Sequence, residues 1–218
     1  MPRALFEKTG KAIYISHLDL MRVFQRAFKR AGLALTHTQG FNPRASVSIA
    51  LPLSVGVESD CELLDFDLDG ETVSCDDICT RLNKALVDGV KISRVYNDGR
   101  KLKELTHLHC CVTLTYDAGV PEGAQEIITK LFSGSELIVP KKGKNGIVDQ
   151  DIVPMIRSVT VAAEEGRLLL DAVVCCQNPS LNPMQLYAAV ERYLPEYQAD
   201  FVSCRRLELF DGNGNVFY

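Results

Sequence analysis

The sequence predicts an α+β chain of two tandem ferredoxin-like (βαββαβ) units, residues 1–98 and 106–218. Three observations predict it. Short apolar runs with strand alternation recur along the chain, amphipathic stretches with helix-start signals fall between them, and the polar stretch from Asn97 to Lys103 divides the chain into halves of similar element order. The duplication is one of element order alone, because no residue-level repeat accompanies it.

Residues 3–8 read as the first strand, and Tyr14-Ile15 leads into a helix. Ser16 and Asp19 have the spacing by which each side chain satisfies a free backbone N–H at a helix start. Leu20, Met21, Phe24, Ala27, Phe28 and Ala31 recur every three or four residues and make one apolar face; Gly32 ends the run. Val47 to Leu51 alternates as a second strand, broken by Pro52, Ser54 and Gly56. Cys61 to Leu68 reads as a third, with Glu62, Asp65, Asp67 and Asp69 as an exposed acidic face. Ser74 and Asp77 open a second helix to about Val87, and Val90 to Tyr96 closes the first half.

In the second half, His109 to Tyr116 is a strand and Pro121 starts a helix carrying Ala124, Ile127, Ile128 and Leu131. Leu137 to Val139 is a strand, followed by the loop KKGKNG. Ser158 to Ala163 and Leu168 to Cys176 pair around Glu164-Glu165-Gly166. Asn182-Pro183 starts a last helix, and Val202 to Phe210 is the closing strand.

The 218 residues are 46% hydrophobic and 24% charged, which are globular values. No apolar run suits a membrane span or a signal peptide, so the expected location is cytoplasmic, with no membrane partner. Net charge is −4, unevenly spread. Residues 1–50 hold eight Lys and Arg against Glu7 and Asp19, which is 8 − 2 = +6 and leaves −10 for the rest. Such asymmetry suggests a face for a polyanion. The 8 cysteines include no C-x-x-C pair, and Leu82 stands where a radical-SAM cluster motif starting at Cys75 and Cys79 needs a third cysteine. Buried free thiols are expected, with no metal and no cofactor.

Candidate site residues converge on 16–44, SHLDLMRVFQRAFKRAGLALTHTQGFNPR. Arg22, Arg26, Lys29 and Arg30 lie opposite the apolar helix face. Gly40 and Asn42-Pro43 then force a tight turn that crowds Gln39, Phe41, Asn42 and Arg44 together. Aromatic, amide and guanidinium groups stack on bases and bond base edges or phosphates. Phe41 taken alone fits the core better than a binding surface. Lys141, Lys142 and Lys144 form a second basic cluster. His17, in the first helical turn, is expected to bond or pack locally; as a neutral imidazole it is the alternative general base.

At SHLDLMRVFQRAFKRAG, TQGFNPR and LPLSVGVES, and again at KKGKNGIVDQDIVPMI, the chain resembles a bacterial radical-SAM-associated family. This is a domain of unknown function found fused to or beside a cobalamin-binding radical-SAM-like protein. Thr38 stands where the family usually has serine, and Ala45 where it often has proline. The resemblance implies a radical-SAM protein as partner and RNA- or translation-linked chemistry.

Together these readings give the leading expectation: a non-catalytic RNA-binding accessory module, for tRNA or rRNA. One alternative is a metal-independent RNA endonuclease with His17 as base and Arg22 or Lys29 stabilising the phosphorane. The other is a protein adaptor that docks the radical-SAM partner through Glu62, Asp65, Asp67 and Asp69.

Overall fold

The computed structural model describes residues 1–70, 72–143 and 146–218, without the Lys142 side chain. The chain is mixed α+β and divides into two compact units. Unit 1 is Met1–Glu104 with Phe217–Tyr218, and unit 2 is Leu105–Val216.

Unit 1 runs β1 (Arg3–Lys8), α1 (His17–Arg30), β2 (Val47–Ile49), β3 (Val57–Phe66), α2 (Cys75–Ala85) and β4 (Val90–Tyr96). Its strands lie in the order β4-β1-β3-β2, every neighbouring pair antiparallel. Both helices start as their sequences direct: Ser16 accepts from the Asp19 N–H and Ser74 from the Asp77 N–H. The α1 face packs on Phe6 and Phe66, with ring centroids 4.9 Å apart for both Phe6–Phe24 and Phe28–Phe66. Ile78 and Leu82 bring α2 onto the same core. The helices also cap one another. Arg81 of α2 donates to the Ala31 carbonyl after α1, and Arg30 of α1 donates to the Ala85 carbonyl at the end of α2. Each guanidinium thus meets the negative end of the other helix.

Unit 2 runs β5 (Leu105–Thr115), α3 (Ala124–Phe132), β6 (Ile138–Gly143), β7 (Gly146–Asp151), β8 (Ile156–Glu164), β9 (Arg167–Cys175), α4 (Met184–Tyr193) and β10 (Phe201–Asp211). The order β10-β5-β9-β8 is again antiparallel throughout. The strand expected at Leu137–Val139 belongs elsewhere: β6 pairs with β7 as a separate two-stranded hairpin. The physical reason is local. The chain turns back on itself, so β6 finds its partner in the strand that immediately follows, and β8 takes the place beside β9.

The acidic face expected on β3 does not form: Asp69 is exposed but lies beyond the strand, and Asp67 is half-buried and accepts from the Thr36 hydroxyl. Glu62 is buried, and Asp65 receives two bonds from the buried Arg3 guanidinium, at 2.6 and 3.0 Å. Strand β3 lies between β1 and β2 and is covered by side chains on both faces, so alternation there does not separate core from water. Lys8 is buried too, and its ammonium donates to the carbonyls of Ile13 and Ile15, holding the segment before α1 to β1. Two of the eight early basic side chains are therefore internal.

All eight cysteines are free; Cys61, Cys110, Cys176 and Cys204 are buried and the other four half-buried. Burial pushes the Cys176 and Cys204 thiols up to about 12 and Cys110 higher. An acid with a raised folded pKa contributes its full stability below the unfolded value, about 8.5, and loses it as pH rises toward the folded value. Unfolding free energy measured in urea should therefore fall from about pH 8.5 upward, and Cys204→Ala should flatten that fall by as much as about 1.4 kcal/mol per pH unit. An identical slope in the variant would count against a buried, protonated Cys204.

Candidate functional site

Gly32, at φ +66°, turns the chain back at the end of α1, and the Leu33 N–H returns to the Phe28 carbonyl. The following segment is tied to the core of unit 1: the Asp69 N–H donates to Ala34 and the Thr36 N–H to Asp67. His37 bridges Ala45, and the Ser46 N–H donates to Thr36, so residues 36–46 form a small hairpin. Thr38 closes its tip twice. Its N–H donates to the Arg44 carbonyl at 2.8 Å, and its hydroxyl accepts from the Arg44 N–H at 3.0 Å. The hydroxyl that marks this position in the sequence thus performs a structural task, and Ala45 suits the bridge.

The tip itself, Gln39 to Arg44, is exposed throughout. Phe41 has a relative exposure of 103%, which overturns its expected place in the core. The reason is geometric: a hairpin closed at Thr38–Arg44 carries residue 41 at its far end, away from any apolar surface of its own unit. The side chains of Gln39, Asn42 and Arg44 make no hydrogen bond or ion pair among the described residues.

The base of this hairpin and the outer face of α1 share a cleft of about 420 Å³, bordered by Gln25, Lys29, Leu33, Leu35, His37 and Ala45. Lys29 and Arg26 are exposed and unpaired among the described residues. Arg22 is less available, since Asp19 holds it at 2.7 Å; the Ser16 hydroxyl first, then Arg22, keeps the Asp19 carboxyl below its usual range. Arg30 is committed to the Ala85 carbonyl. The structure thus groups Lys29 with the loop base and leaves Arg26 and Arg44 unpaired, while two arginines of the predicted set serve the fold. Sequence reasoning missed Gln25 and His37 as cleft residues; the i, i+4 relation of Gln25 to Lys29 was the available signal.

His17 is half-buried in the first turn of α1. Lys29 lies about 18 Å further along the axis, too far to act on the same phosphate. In unit 2, Lys141 donates to the Ser180 carbonyl at 3.3 Å. Lys144 and the Lys142 side chain lie outside the described residues. Unit 1 as a whole carries 15 Lys and Arg against 14 Asp and Glu, a net of +1, so the positive charge belongs to the segment and not to the unit. Among the described residues no cluster of His, Cys, Asp and Glu is suited to a metal, and no helix is long and apolar enough to cross a membrane.

Residues 2–183 match the family described as an uncharacterized protein conserved in bacteria (DUF2344), and the chain belongs to that family. No curated protein matches it. Among solved structures, an unknown protein from Galdieria sulphuraria aligns with 94% of this chain and 96% of its own, at 13% identity and a TM-score of 0.27. A likeness that low bears on neither fold nor function.

The loop geometry separates two residues that look equally important in sequence. Phe41→Ser should leave urea stability within about 0.5 kcal/mol of the parent, as expected of a side chain that touches nothing. Thr38→Val should lower it by about 1 kcal/mol, the usual value of one intramolecular hydrogen bond, and speed hydrogen exchange at the Arg44 amide. A large loss from Phe41→Ser would place the ring in contact with the protein.

Proposed function

We propose that this chain is a non-catalytic RNA-binding accessory module acting with a radical-SAM protein in RNA- or ribosome-linked modification. One observation carries the RNA reading: an aromatic ring with no contact of its own stands beside an unpartnered amide pair and guanidinium on a hairpin that its own backbone holds closed. Those are the groups that stack on a splayed base, bond its edge and grip the adjacent phosphate. Arg26 and Lys29, on the neighbouring helix face, supply further phosphate contacts. The radical-SAM partnership rests on the resemblance of the motifs at residues 16–60.

The fold supports the same reading. Both units interleave two helices with four strands in a 4-1-3-2 antiparallel order, if the β6–β7 hairpin is set aside as an insertion in unit 2. That is the order of a ferredoxin-like unit, a scaffold compatible with RNA binding but not diagnostic of it. The endonuclease alternative is weakened by the distance from His17 to Lys29 and by the pairing of Arg22. The adaptor alternative loses Glu62 and Asp65, which are engaged inside unit 1.

Binding of tRNA and rRNA fragments, titrated against salt, tests the proposal. Affinity should fall steeply with salt. Phe41→Ala should weaken binding about 5- to 150-fold, the range for one stacked base, and Arg44→Glu should lower the salt slope by about one phosphate contact. Salt-independent or absent affinity for every RNA, or loop variants that bind like the parent, would sink the proposal.

A further inference from the structure

Strand β5 buries Leu108, Cys110, Val112 and Leu114 and turns His107, His109, Cys111 and Thr113 to a half-exposed face. On that face His107 stands directly opposite Cys175 of β9, with Nε2 3.7 Å from Sγ. Behind the ring, the Thr106 hydroxyl lies 2.8 Å from Nδ1 and donates onward to the Phe210 carbonyl at 3.4 Å. In the tautomer in which that hydroxyl accepts from Nδ1, the Nε2 lone pair faces the thiol. Burial, then the neighbouring Arg157, lowers the His107 pKa, which keeps the ring neutral at pH 7. The second histidine of this face is otherwise engaged: His109 Nε2 lies 2.9 Å from both Asp171 oxygens.

A cleft of about 310 Å³ is lined by Arg157, Ser158, Val173, Phe210 and Gly214, with neither member of the pair in its lining. Val173 precedes Cys175 by two residues on the same strand, and Phe210 is the register partner of His107. Arg157 is exposed and makes no ion pair among the described residues. A nucleophile and an adjacent base therefore stand next to strand positions that line a cleft, and the exposed Arg157 of that cleft is near enough for its charge to act on His107.

We propose that Cys175 and His107 form a nucleophilic thiol site for a small disulfide bearing a carboxylate, which Arg157 holds. His107 Nε2 takes the thiol proton as Sγ attacks one sulfur of the disulfide. The reagent's S–S bond breaks, a mixed disulfide forms on Cys175, and the departing thiolate takes the proton from His107. The Cys175 sulfur is oxidised and the departing half of the reagent is reduced, so no further oxidant is needed. The site is independent of the RNA reading.

The full chain is treated at pH 7 with an anionic aromatic disulfide, 5,5′-dithiobis(2-nitrobenzoate), and with neutral dithiodipyridine; the sites are mapped by mass spectrometry. Cys175 should react first with both, at least about tenfold faster than any other cysteine, and His107→Gln should slow it by about tenfold or more. Arg157→Gln should slow the anionic reagent about threefold or more and leave the neutral one unchanged. In the unmutated protein the rate should stay level from about pH 8 to about pH 7 and fall only at lower pH, as His107 protonates, where an unassisted thiol loses tenfold per pH unit from about 8.5 downward. The pH profile reads the base without any variant that might misfold. First reaction at another cysteine, or the profile of an unassisted thiol, overturns the site. Equal effects of Arg157→Gln on both reagents overturn the carboxylate.

Discussion

The rotation of α1 about its axis is the constraint on which the candidate site depends. Successive helical residues are 100° apart, so a shift of one residue would bury the basic stripe and expose the rings. Two aromatic contacts prevent it. Phe24 meets Phe6 edge-on and Phe28 lies against Phe66, both ring pairs at 4.9 Å and all four rings fully buried. Moving either ring into water would forfeit about 1.5–3 kcal/mol of burial, besides leaving a cavity against the sheet. With those rings fixed, Gln25, Arg26 and Lys29 have no direction left but outward, and Gly32 delivers the chain into the hairpin from the same end of the helix. The mutual capping by Arg30 and Arg81 fixes the position of that end against α2.

What the sequence could and could not reveal follows from the range of each interaction. Helices α1 and α2 were legible because caps and apolar faces are written within four residues of one another, and the structure places both starts at Ser16 and Ser74. The strands of the first half were legible by alternation. Long-range pairing was not. Arg3 counted toward the charge of the first fifty residues, yet it is joined to Asp65 across 62 residues, and nothing near either residue announces the other. Lys8 is bonded to backbone carbonyls, which leave no trace in sequence. The same blindness produced the acidic face on β3, since alternation shows two faces without showing that both are covered. In unit 2, the β6–β7 hairpin was read as one strand and a loop because its second strand, GIVDQD, has little alternation.

The candidate site was legible in its residue types and misread in its geometry. Gly40 and Asn42-Pro43 correctly announced a turn, but a turn by itself does not say whether its aromatic faces inward. That is decided by the two bonds between Thr38 and Arg44, which carry the tip outward. Counting charge was less informative than following each charge to its partner. Of eight basic side chains in the first fifty residues, Arg3 and Lys8 are internal, Arg22 faces a carboxylate and Arg30 caps a helix.

The remaining charges acquire meaning from where they sit. Arg26 and Lys29 have no partner among the described residues, and neither has Arg44 on the loop. Phe41 shares that condition: a large apolar ring held in water contributes nothing to the stability of the unit that carries it. A single exposed aromatic on a floppy loop would need no explanation, because a surface always retains apolar atoms. Here the backbone at the base of the tip is closed by its own hydrogen bonds, so part of the ordering entropy of the loop is already lost on folding. The closed base thus carries a ring, two amides and a guanidinium that stand exposed and without a partner among the described residues.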